Sequence, residues 1–371
     1  MSIAGDCQYN FAPAHSVSMK QYNLCFLGFG NVGRALARLL AAKSSELREQ
    51  YGIEFRVAGV ASRRIGWLAN SDGFDVATLL SNSSISEHGS TAENIGDWLK
   101  LAKPDAVFET MSLNLESGQP AIDYLRAVLE SGAHAITANK GVLVHGYHDL
   151  AALARTQGRR FLFESAVLDS APVFSLFRET LPAVKLRGFS GVFSSTTNVI
   201  IETMEAGRSF AEGLKTAQDL GVAETDASHD IDGWDATVKV CALASVLMNI
   251  PLKPDEVNRE GVRDLTPAKV QAARAEGKPF KLVARAKLTG DGKLAATVRP
   301  EQIGASDPLG NVRGTSLAVH FELDMIPGLT ITSHRPNLQS TAYGLLADFV
   351  NAVKTEVKSP TSKVQYPTSV K

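Results

Sequence analysis

The segment that most limits the fold is an apolar strand followed by a glycine-rich turn and an amphipathic helix. Residues 23–27 (NLCFL) form the strand, and GFGNVG at residues 28–33 leads into an apolar helical pattern that continues to residue 40. In dinucleotide-binding folds, glycines at this spacing allow a tight turn, close approach of the backbone to a pyrophosphate, and close packing of helix on strand. Because the required strand and helix are both present, the sequence predicts a Rossmann-type domain that binds a dinucleotide. The alternative is a purely structural glycine turn.

The length of the chain indicates two domains, because 371 residues exceed what one ordinary hydrophobic core organises. With 44% apolar and 21% charged residues, the composition is that of a globular protein. The net charge of −1 gives no reason to expect a nucleic-acid partner, and no apolar run is long enough to span a membrane. Cys7, Cys25 and Cys241 lack metal-like spacing and fit the reducing cytoplasm. Residues 1–18 lack the features of a signal peptide and are expected to form a loose extension.

The second strand bears on the choice of cofactor. It covers residues 54–61, and Ser62, Arg63 and Arg64 follow it. A site that prefers NAD usually has Asp or Glu near this point to bind the ribose 2′-hydroxyl, whereas arginine accommodates the 2′-phosphate of NADP. The sequence therefore favours NADP over NAD, unless the two arginines simply face water.

Two later strands place polar residues at the predicted ligand-binding edge of the sheet. The strand at residues 105–109 leads to Thr110, and the strand at residues 134–137 leads to Lys140. In open α/β sheets, ligands bind outside the carboxyl ends of the strands. Lys140 is therefore a candidate ligand contact, although a lysine at such an edge is often simply solvated.

Beyond residue 160 the pattern changes to a mixed α+β region. It predicts strands at residues 160–167 and 186–193, a helix ending near Glu205, and a capping box made by Ser209 and Glu212 at the start of the next helix. Three or four strands are predicted between residues 280 and 332, and a last helix at residues 340–357. The predicted fold class is α/β: a Rossmann-type dinucleotide-binding domain with a mixed α+β catalytic and dimerisation domain.

An acidic stretch at residues 221–249 is the strongest candidate for polar chemistry. Asp232 is predicted to cap a helix that begins at Gly233, and Asp235 and Lys239 then lie four residues apart on one helix face. One interpretation is a solvated acidic loop with an exposed ion pair worth about 0.3–0.5 kcal/mol. The other is a polar substrate site in which carboxylates keep one lysine protonated and fix its position.

Five separated blocks give the chain a resemblance to homoserine dehydrogenases over almost its whole length. They are GFGNVG at 28–33, TANKG at 137–141, GVFSSTTN at 191–198, the stretch from GVAE at 221–224 through DGWD at 232–235 to Lys239, and the weaker DPLGNVRG at 307–314. Five blocks in the expected order are far more specific than any one of them.

The resemblance implies a nucleotide-binding domain at residues 19–160 and a catalytic and dimerisation domain at residues 161–335. A C-terminal helix within residues 336–371 is expected to return to the nucleotide-binding side, followed by a loose tail. The family is typically homodimeric and interconverts L-aspartate 4-semialdehyde and L-homoserine with NAD(P)H, on the route to threonine, methionine and isoleucine. The expected partner is thus a small amino-acid substrate, without nucleic acid or membrane.

The resemblance also implies roles for individual residues. Lys239 is the expected proton donor to the aldehyde oxygen, and Lys140 is expected to lie between cofactor and substrate. The expected substrate contacts are Glu224, Asp235, Gly221 and Asp230. The expected cofactor contacts are Gly28, Phe29, Gly30, Asn31, Val32, Gly33, Arg63, Thr110 and Lys140.

Two turns depart from the family pattern. Leu168, Asp169 and Ser170 stand where the family usually has a glycine-rich turn, and residues 333–340 replace a Gly-Ala-Gly segment near the cofactor. The first region resembles a family sodium site formed partly by backbone oxygens, with these expected ligands: Glu164, Val167, Asp169 and Ala171. The altered turns leave open a related reductase that acts on a different small aldehyde or hydroxy compound. A non-enzymatic nucleotide-binding protein is disfavoured, because both lysines are present.

Overall fold

The structure, a computed structural model, describes residues 18–81 and 88–354. The predicted N-terminal extension therefore lies outside the described residues except for Ser18, and so does the predicted tail after residue 354. Within the described part of the chain, no helix is long and apolar enough to cross a membrane.

The first sheet contains seven strands within the described residues, in the spatial order β4-β3-β2-β1-β5-β6-β7. The strands are β1 Lys20–Leu27, β2 Ile53–Ser62, β3 Gly66–Phe74, β4 Ser90–Ala92, β5 Ala106–Glu109, β6 His134–Thr137 and β7 Phe161–Leu162. Strands β2, β1, β5, β6 and β7 are parallel, whereas β3 and β4 are antiparallel. The strand order changes direction between β1 and β5, and ligands bind at such a switch point.

Helices cover the parallel strands, as a parallel sheet buried on both faces requires. They are α1 Asn31–Ala42, α2 Ser44–Tyr51, α3 Val76–Ser81, α4 Ile95–Ala102, α5 Ala121–Glu130 and α6 Lys140–Thr156. The near-continuous apolar runs of β1 and β5 are buried between these layers, with Leu24, Phe26 and Phe108 fully inaccessible to solvent. The strands at 54–61, 105–109 and 134–137 are thus found within one residue of their predicted bounds.

The second sheet has six strands in the described residues, in the order β13-β12-β8-β10-β11-β9. They are β8 Leu186–Val192, β9 Asn258–Arg259, β10 Phe280–Leu288, β11 Leu294–Gln302, β12 Leu317–Leu323 and β13 Leu329–Ser333. The associated helices are α7 Ser165–Leu168, α8 Val173–Ser175, α9 Ser195–Glu205, α10 Phe210–Asp219, α11 Ser228–Ile231, α12 Trp234–Leu247 and α13 Pro267–Ala275. Short π and 3₁₀ segments lie at Leu176–Thr180 and Pro254–Glu256. The predicted fold class is confirmed, with one Rossmann-like sheet and a second, mostly antiparallel sheet.

The predicted strand at residues 160–167 is wrong over most of its length. Strand β7 ends at Leu162, and Ser165–Leu168 form the short helix α7. A short apolar run fits a buried helix as well as a strand, so periodicity could not separate the two. The Glu164 carboxylate accepts N–H bonds from Phe174 and Ser175 at 2.6 and 2.8 Å, and these contacts fold the segment back on itself.

The predicted N-cap of helix α12 is also wrong. Gly233, with a φ of +79°, precedes the first helical residue, and no side chain caps that end. The Asp232 carboxylate is instead paired with the Arg263 guanidinium, and its Oδ2 lies 3.0 Å from Arg263 Nη2. A strong partner distant in sequence therefore replaced the local cap. The predicted loop at 224–230 runs into α11.

The last helix, α14 Leu338–Lys354, packs against α1 and α7. Its Phe349 ring contacts Tyr22 and Phe108 of the first sheet, with centroid distances of 5.7 and 6.0 Å. On the same helix, Gly344 approaches Ser165 so closely that a Cβ atom on residue 344 would overlap the Ser165 Oγ. Helix α14 thus connects the β1–α1 region with the α7 segment that leads into the second sheet.

Candidate active site

A cleft of about 870 Å³ lies at the carboxyl ends of β1, β2 and β5. Gly28 adopts a φ of +91°, and a Cβ atom there would lie 2.7 Å from the Thr110 backbone. Thr110 Oγ1 donates a hydrogen bond of 2.9 Å to the Gly28 carbonyl. Helix α1 begins at once, without a side-chain cap or an acidic residue in its first turn. Its free N–H groups can therefore bind a pyrophosphate.

Most of the predicted cofactor contacts line this cleft: Gly28, Phe29, Gly30, Asn31, Arg63 and Thr110. Gly33 lies beneath the turn, where a Cβ atom would be 2.8 Å from the Gly28 carbonyl oxygen. Arg34 and Arg64 also line the cleft, and no acidic side chain does so among the described residues. Arg63 Nη2 donates to Ser112 Oγ at 3.3 Å. The cleft thus offers positive charge and backbone N–H groups to an anionic ligand.

A second cavity of about 250 Å³ adjoins the cleft, since Thr110 and Met111 line both. Its wall includes Val32, Lys140 and Lys239, which sequence reasoning placed at the cofactor or the substrate. A group bound in the cleft beside Thr110 and Met111 is therefore next to the cavity that both lysines line.

Asp235 holds the two lysines together. Lys140 is the first residue of α6, and its Nζ lies 2.8 Å from Asp235 Oδ1. Lys239, one turn after Asp235 on α12, places its Nζ 2.9 Å from Oδ2 and also donates to the Phe193 carbonyl at 2.6 Å. The three side chains are only 12–20% exposed. Two segments almost a hundred residues apart thus form one largely buried ionic cluster.

The charges in this cluster stabilise one another. Burial acts to raise the pKa of Asp235, but the ammonium groups of Lys140 and Lys239 outweigh burial and hold that pKa well below its usual value. Burial acts to lower the pKa of Lys239, yet the Asp235 carboxylate and its hydrogen bond outweigh it, so that pKa is raised. Lys239 is consequently an ammonium group at neutral pH.

Two further carboxyl groups face the lysines. Asp230 accepts hydrogen bonds from Ser194 Oγ at 3.3 Å and from Thr196 Oγ1 at 2.9 Å. Burial, followed by repulsion from Asp235, raises the pKa of Asp230. Asp169 lines the second cavity, and burial raises its pKa against the opposing effect of a hydrogen bond from Thr341.

Gly221 and Glu224, both predicted substrate contacts, lie outside this arrangement. Gly221 lies two residues after the end of helix α10, has a φ of +71° and is exposed. Glu224 is also exposed, and its backbone carbonyl accepts a hydrogen bond from Gln218. The contacts of the described residues do not connect the Glu224 carboxylate to either lysine, and neither residue lines the two cavities.

Two of the four predicted sodium ligands, Glu164 and Ala171, accept hydrogen bonds from the protein backbone. Both oxygens of Glu164 accept backbone N–H groups, and the Ala171 carbonyl accepts from Val173 N at 2.7 Å. Among the described residues, no group of three or more His, Cys, Asp and Glu side chains is arranged so that it could hold a metal ion. These contacts give no support for a sodium ion.

Sequence reasoning missed Glu109, a fully buried carboxyl at the end of β5. Its Oε1 accepts from Met111 N at 2.8 Å, and its Oε2 accepts from the Thr137 hydroxyl. Thr137 Oγ1 in turn accepts from Asn139 N at 2.9 Å. Glu109 thus fixes the segment shared by both cavities relative to the start of α6. The sequence signal that could have identified it is an acidic residue at the end of an otherwise apolar strand.

Comparisons with known proteins agree with this geometry. Residues 28–164 match the family model for the NAD-binding domain of homoserine dehydrogenase, and residues 172–350 match the model for homoserine dehydrogenase. The chain is 31% identical to the NAD(+)-dependent homoserine dehydrogenase of Pseudomonas canavaninivorans, covering 90% of this chain and 96% of that protein. It is 30% identical to the homoserine dehydrogenase of Methanocaldococcus jannaschii, covering 91% of this chain and all of that protein.

Solved structures show the same likeness. A putative homoserine dehydrogenase from Archaeoglobus fulgidus superposes with a TM-score of 0.78 at 27% identity, covering 89% of this chain and 98% of that one. A hyperthermophilic archaeal homoserine dehydrogenase in complex with NADPH gives a TM-score of 0.74 at 26% identity, and the match covers 92% of this chain and 99% of that one. The chain therefore belongs to the homoserine dehydrogenase family, the NAD(P)-dependent oxidoreductases that act on a CH–OH group.

Proposed function

We propose that this protein interconverts L-aspartate 4-semialdehyde and L-homoserine, with Lys239 as the proton donor and acceptor. The observation that carries the proposal is the pairing of Asp235 with both Lys140 and Lys239 beside a cavity continuous with the dinucleotide cleft. A carbonyl seated in that cavity would have the nicotinamide end of the cofactor on one side and an ammonium group on the other.

The side chains of this site would manage the charge that develops on the substrate oxygen. A bound nicotinamide supplies or accepts the hydride. During reduction, Lys239 stabilises the negative charge on the oxygen and donates a proton to it, while Asp235 keeps the lysine protonated until then. During oxidation, Lys239 accepts the hydroxyl proton. Oxidation is therefore favoured at high pH.

Lys140 has a different task, because it begins α6 at the carboxyl end of β6. Asn139 Oδ1 accepts from Gly141 N at 3.0 Å and so caps this helix, and Asp235 holds the Lys140 ammonium in place. We assign Lys140 to the space between cofactor and substrate, where its charge orients the substrate rather than transferring a proton. Asp235 and Asp230 keep the two lysines and the neighbouring hydroxyl groups in position.

We propose NADP as the preferred cofactor. Strand β2 ends at Ser62 rather than at an acid, and Arg63 and Arg64 follow it and line the cleft. A 2′-phosphate seated there would meet two guanidinium groups. Because the Pseudomonas canavaninivorans relative is named as NAD(+)-dependent, both cofactors have to be compared directly.

The proposal is tested by oxidation of L-homoserine with NADP⁺ and with NAD⁺ at about pH 9, where a lysine can accept a proton more readily than at neutrality. Turnover with both, and a higher kcat/KM with NADP⁺, is expected. If the folded protein binds NADP⁺ but does not oxidise homoserine, the activity is that of a related reductase for another small aldehyde or hydroxy compound.

We further propose that the protein is a cytoplasmic homodimer formed through the second domain, as the resemblance implies. The described cysteines, Cys25 and Cys241, are free and buried, which supports a reducing compartment. Light scattering coupled to size-exclusion chromatography would give twice the mass of the chain for a dimer, and the mass of one chain would contradict it.

A further inference from the structure

Asp169 has a backbone conformation that residues other than glycine rarely adopt. Its φ is +55° and its ψ is −107°, a combination that glycine tolerates and that strains other residues. A strained residue on the wall of a candidate substrate cavity points to a function for its side chain.

One oxygen of the Asp169 carboxyl group accepts a hydrogen bond from the protein, and the other oxygen is available to a ligand. Thr341 Oγ1, at the start of α14, donates to Asp169 Oδ1 at 2.7 Å. The same helix lies close behind, since a Cβ atom on Gly344 would lie 2.9 Å from the Asp169 carbonyl oxygen. No hydrogen-bond donor among the described residues reaches Asp169 Oδ2, although the residue lines the cavity that Lys140 and Lys239 also line.

The carboxyl groups around the two lysines outnumber the ammonium groups by one, so the site can accept one further cation. Lys140 and Lys239 are both paired with Asp235, and the two oxygens of Asp230 accept hydroxyl groups from Ser194 and Thr196. Two ammonium groups thus face three carboxyl groups, and Asp169 is the one with an oxygen that lacks a partner. Glu224, the acid expected to hold the substrate, lies exposed outside the cluster.

We propose that Asp169 is a specificity-determining residue that binds the α-ammonium group of the amino-acid substrate. This inference rests on the proposed function and deepens it. Asp169 Oδ2 accepts an N–H bond from the substrate ammonium while Thr341 holds Oδ1. The substrate is thereby oriented with its oxygen at Lys239, and analogues without the amino group are rejected because Asp169 then remains unpaired in a largely buried site.

Two substitutions separate this function from a structural one. Asp169→Asn keeps the size and an acceptor for Thr341 but removes the charge. Asp169→Gly removes the side chain and relieves the strained backbone. We expect both variants to lose about 10- to 100-fold in kcat/KM for homoserine, the loss typical of a hydrogen bond to a charged group. The Kd for NADP⁺ should stay within about twofold, and Asp169→Gly should melt no lower than the unchanged protein.

Recognition of the substrate ammonium group by Asp169 is tested by comparing kcat/KM for L-homoserine with that for 4-hydroxybutyrate, which lacks the amino group. The unchanged protein should prefer homoserine strongly, and both variants should lose most of that preference by losing activity on homoserine alone. Asp219→Asn, on the exposed end of α10, serves as the matched acid-to-amide control.

Each outcome is decisive. Equal losses for both substrates, or a loss that follows a lower melting temperature in Asp169→Gly, would assign Asp169 to the fold and overturn the inference. Homoserine kinetics unaffected by either substitution would also overturn it, while leaving the proposed function intact. Failure of the unchanged protein to oxidise homoserine would instead contradict the proposed function, and with it this inference.

Discussion

Lys239 Nζ lies 2.9 Å from Asp235 Oδ2, one helical turn away on α12. On an exposed helix such an i,i+4 pair stabilises by about 0.3–0.5 kcal/mol. Here the pair is largely buried. The Nζ of Lys140, which begins α6 at the carboxyl end of β6, also lies 2.8 Å from Asp235 Oδ1. An ion pair that contributes little on a surface is central to the candidate active site here, because the fold buries it and adds Lys140 as a second partner of Asp235.

Replacing Asp235 by Asn should therefore destabilise the protein markedly. Two largely buried ammonium groups would lose the carboxylate that pairs with both, and removing one partner of a buried ion pair costs about 3 kcal/mol or more. Urea unfolding at pH 7 measures the loss. Asp219→Asn breaks the exposed pair between Lys215 and Asp219, whose side chains are 75% and 64% exposed, and is the matched control, with a change below about 0.5 kcal/mol.

The pH dependence of that difference has a defined sign. Because the pKa of Asp235 is lowered in the folded state, its contribution is complete above the unfolded value of about 3.9. The difference between the unchanged protein and Asp235→Asn should hold from pH 7 to about pH 4 and shrink at lower pH. A difference that shrinks already between pH 7 and pH 5 would contradict the assigned pairing.

Asp348 should give the opposite pH dependence. Burial, followed by repulsion from Glu164, raises the pKa of this fully enclosed carboxyl on α14 to about 8. Between about pH 4 and pH 8 the folded state then binds a proton that the unfolded state has released, so the free energy of unfolding falls as pH rises. Asp348→Asn, which can still accept the Glu164 N–H, should become progressively more stable relative to the unchanged protein across that window. Urea unfolding at pH 5 and pH 8 measures it, and a constant difference would contradict the raised pKa.

Two glycines of one turn should respond differently to alanine. At Gly28 a Cβ atom would lie 2.7 Å from the Thr110 backbone and the φ is +91°, so Gly28→Ala should lower the melting temperature of the unliganded protein. At Gly30 a Cβ atom would meet no atom of the described residues within 4 Å, so Gly30→Ala should leave that temperature unchanged. Gly30→Ala should nevertheless weaken cofactor binding in titration calorimetry, because it blocks close approach to the pyrophosphate. Unchanged cofactor affinity in Gly30→Ala would contradict the placement of the pyrophosphate.

Removal of Arg63 and Arg64 should change the choice of cofactor. The double variant Arg63→Ala/Arg64→Ala should raise the Kd for NADP⁺ by about tenfold or more, since charge-assisted contacts to phosphate are strong, and should leave the Kd for NAD⁺ nearly unchanged. Arg38→Ala, an exposed arginine on α1 outside the cleft, is the control. Equal effects on both cofactors would place the arginines away from the 2′-position.

The sequence was most informative where local signals carry the structure. The strand, glycine turn and helix at residues 23–40 define their own geometry, and the Ser209–Glu212 capping box formed as predicted. The spacing of Asp235 and Lys239 also placed both on one helix face.

Contacts between distant segments could not be derived in this way. Asp232 pairs with Arg263 rather than capping α12, and Lys140 reaches Asp235 only because α6 and α12 pack together. Asp169 and Thr341, 172 residues apart, show the same limitation. Each of these contacts depends on how segments distant in sequence pack together, which no local pattern encodes.

The most direct test of the account is the rate of homoserine oxidation by Lys239→Ala at about pH 9. Loss of the proton acceptor should lower kcat by about 10²–10⁴, with the Kd for NADP⁺ and the melting temperature measured alongside to show an intact cofactor site. Lys215→Ala, which removes a lysine from the exposed i,i+4 pair on α10, should retain full activity. A folded, cofactor-binding Lys239→Ala protein whose kcat falls by less than tenfold would contradict the assignment of Lys239 as the group that transfers the proton.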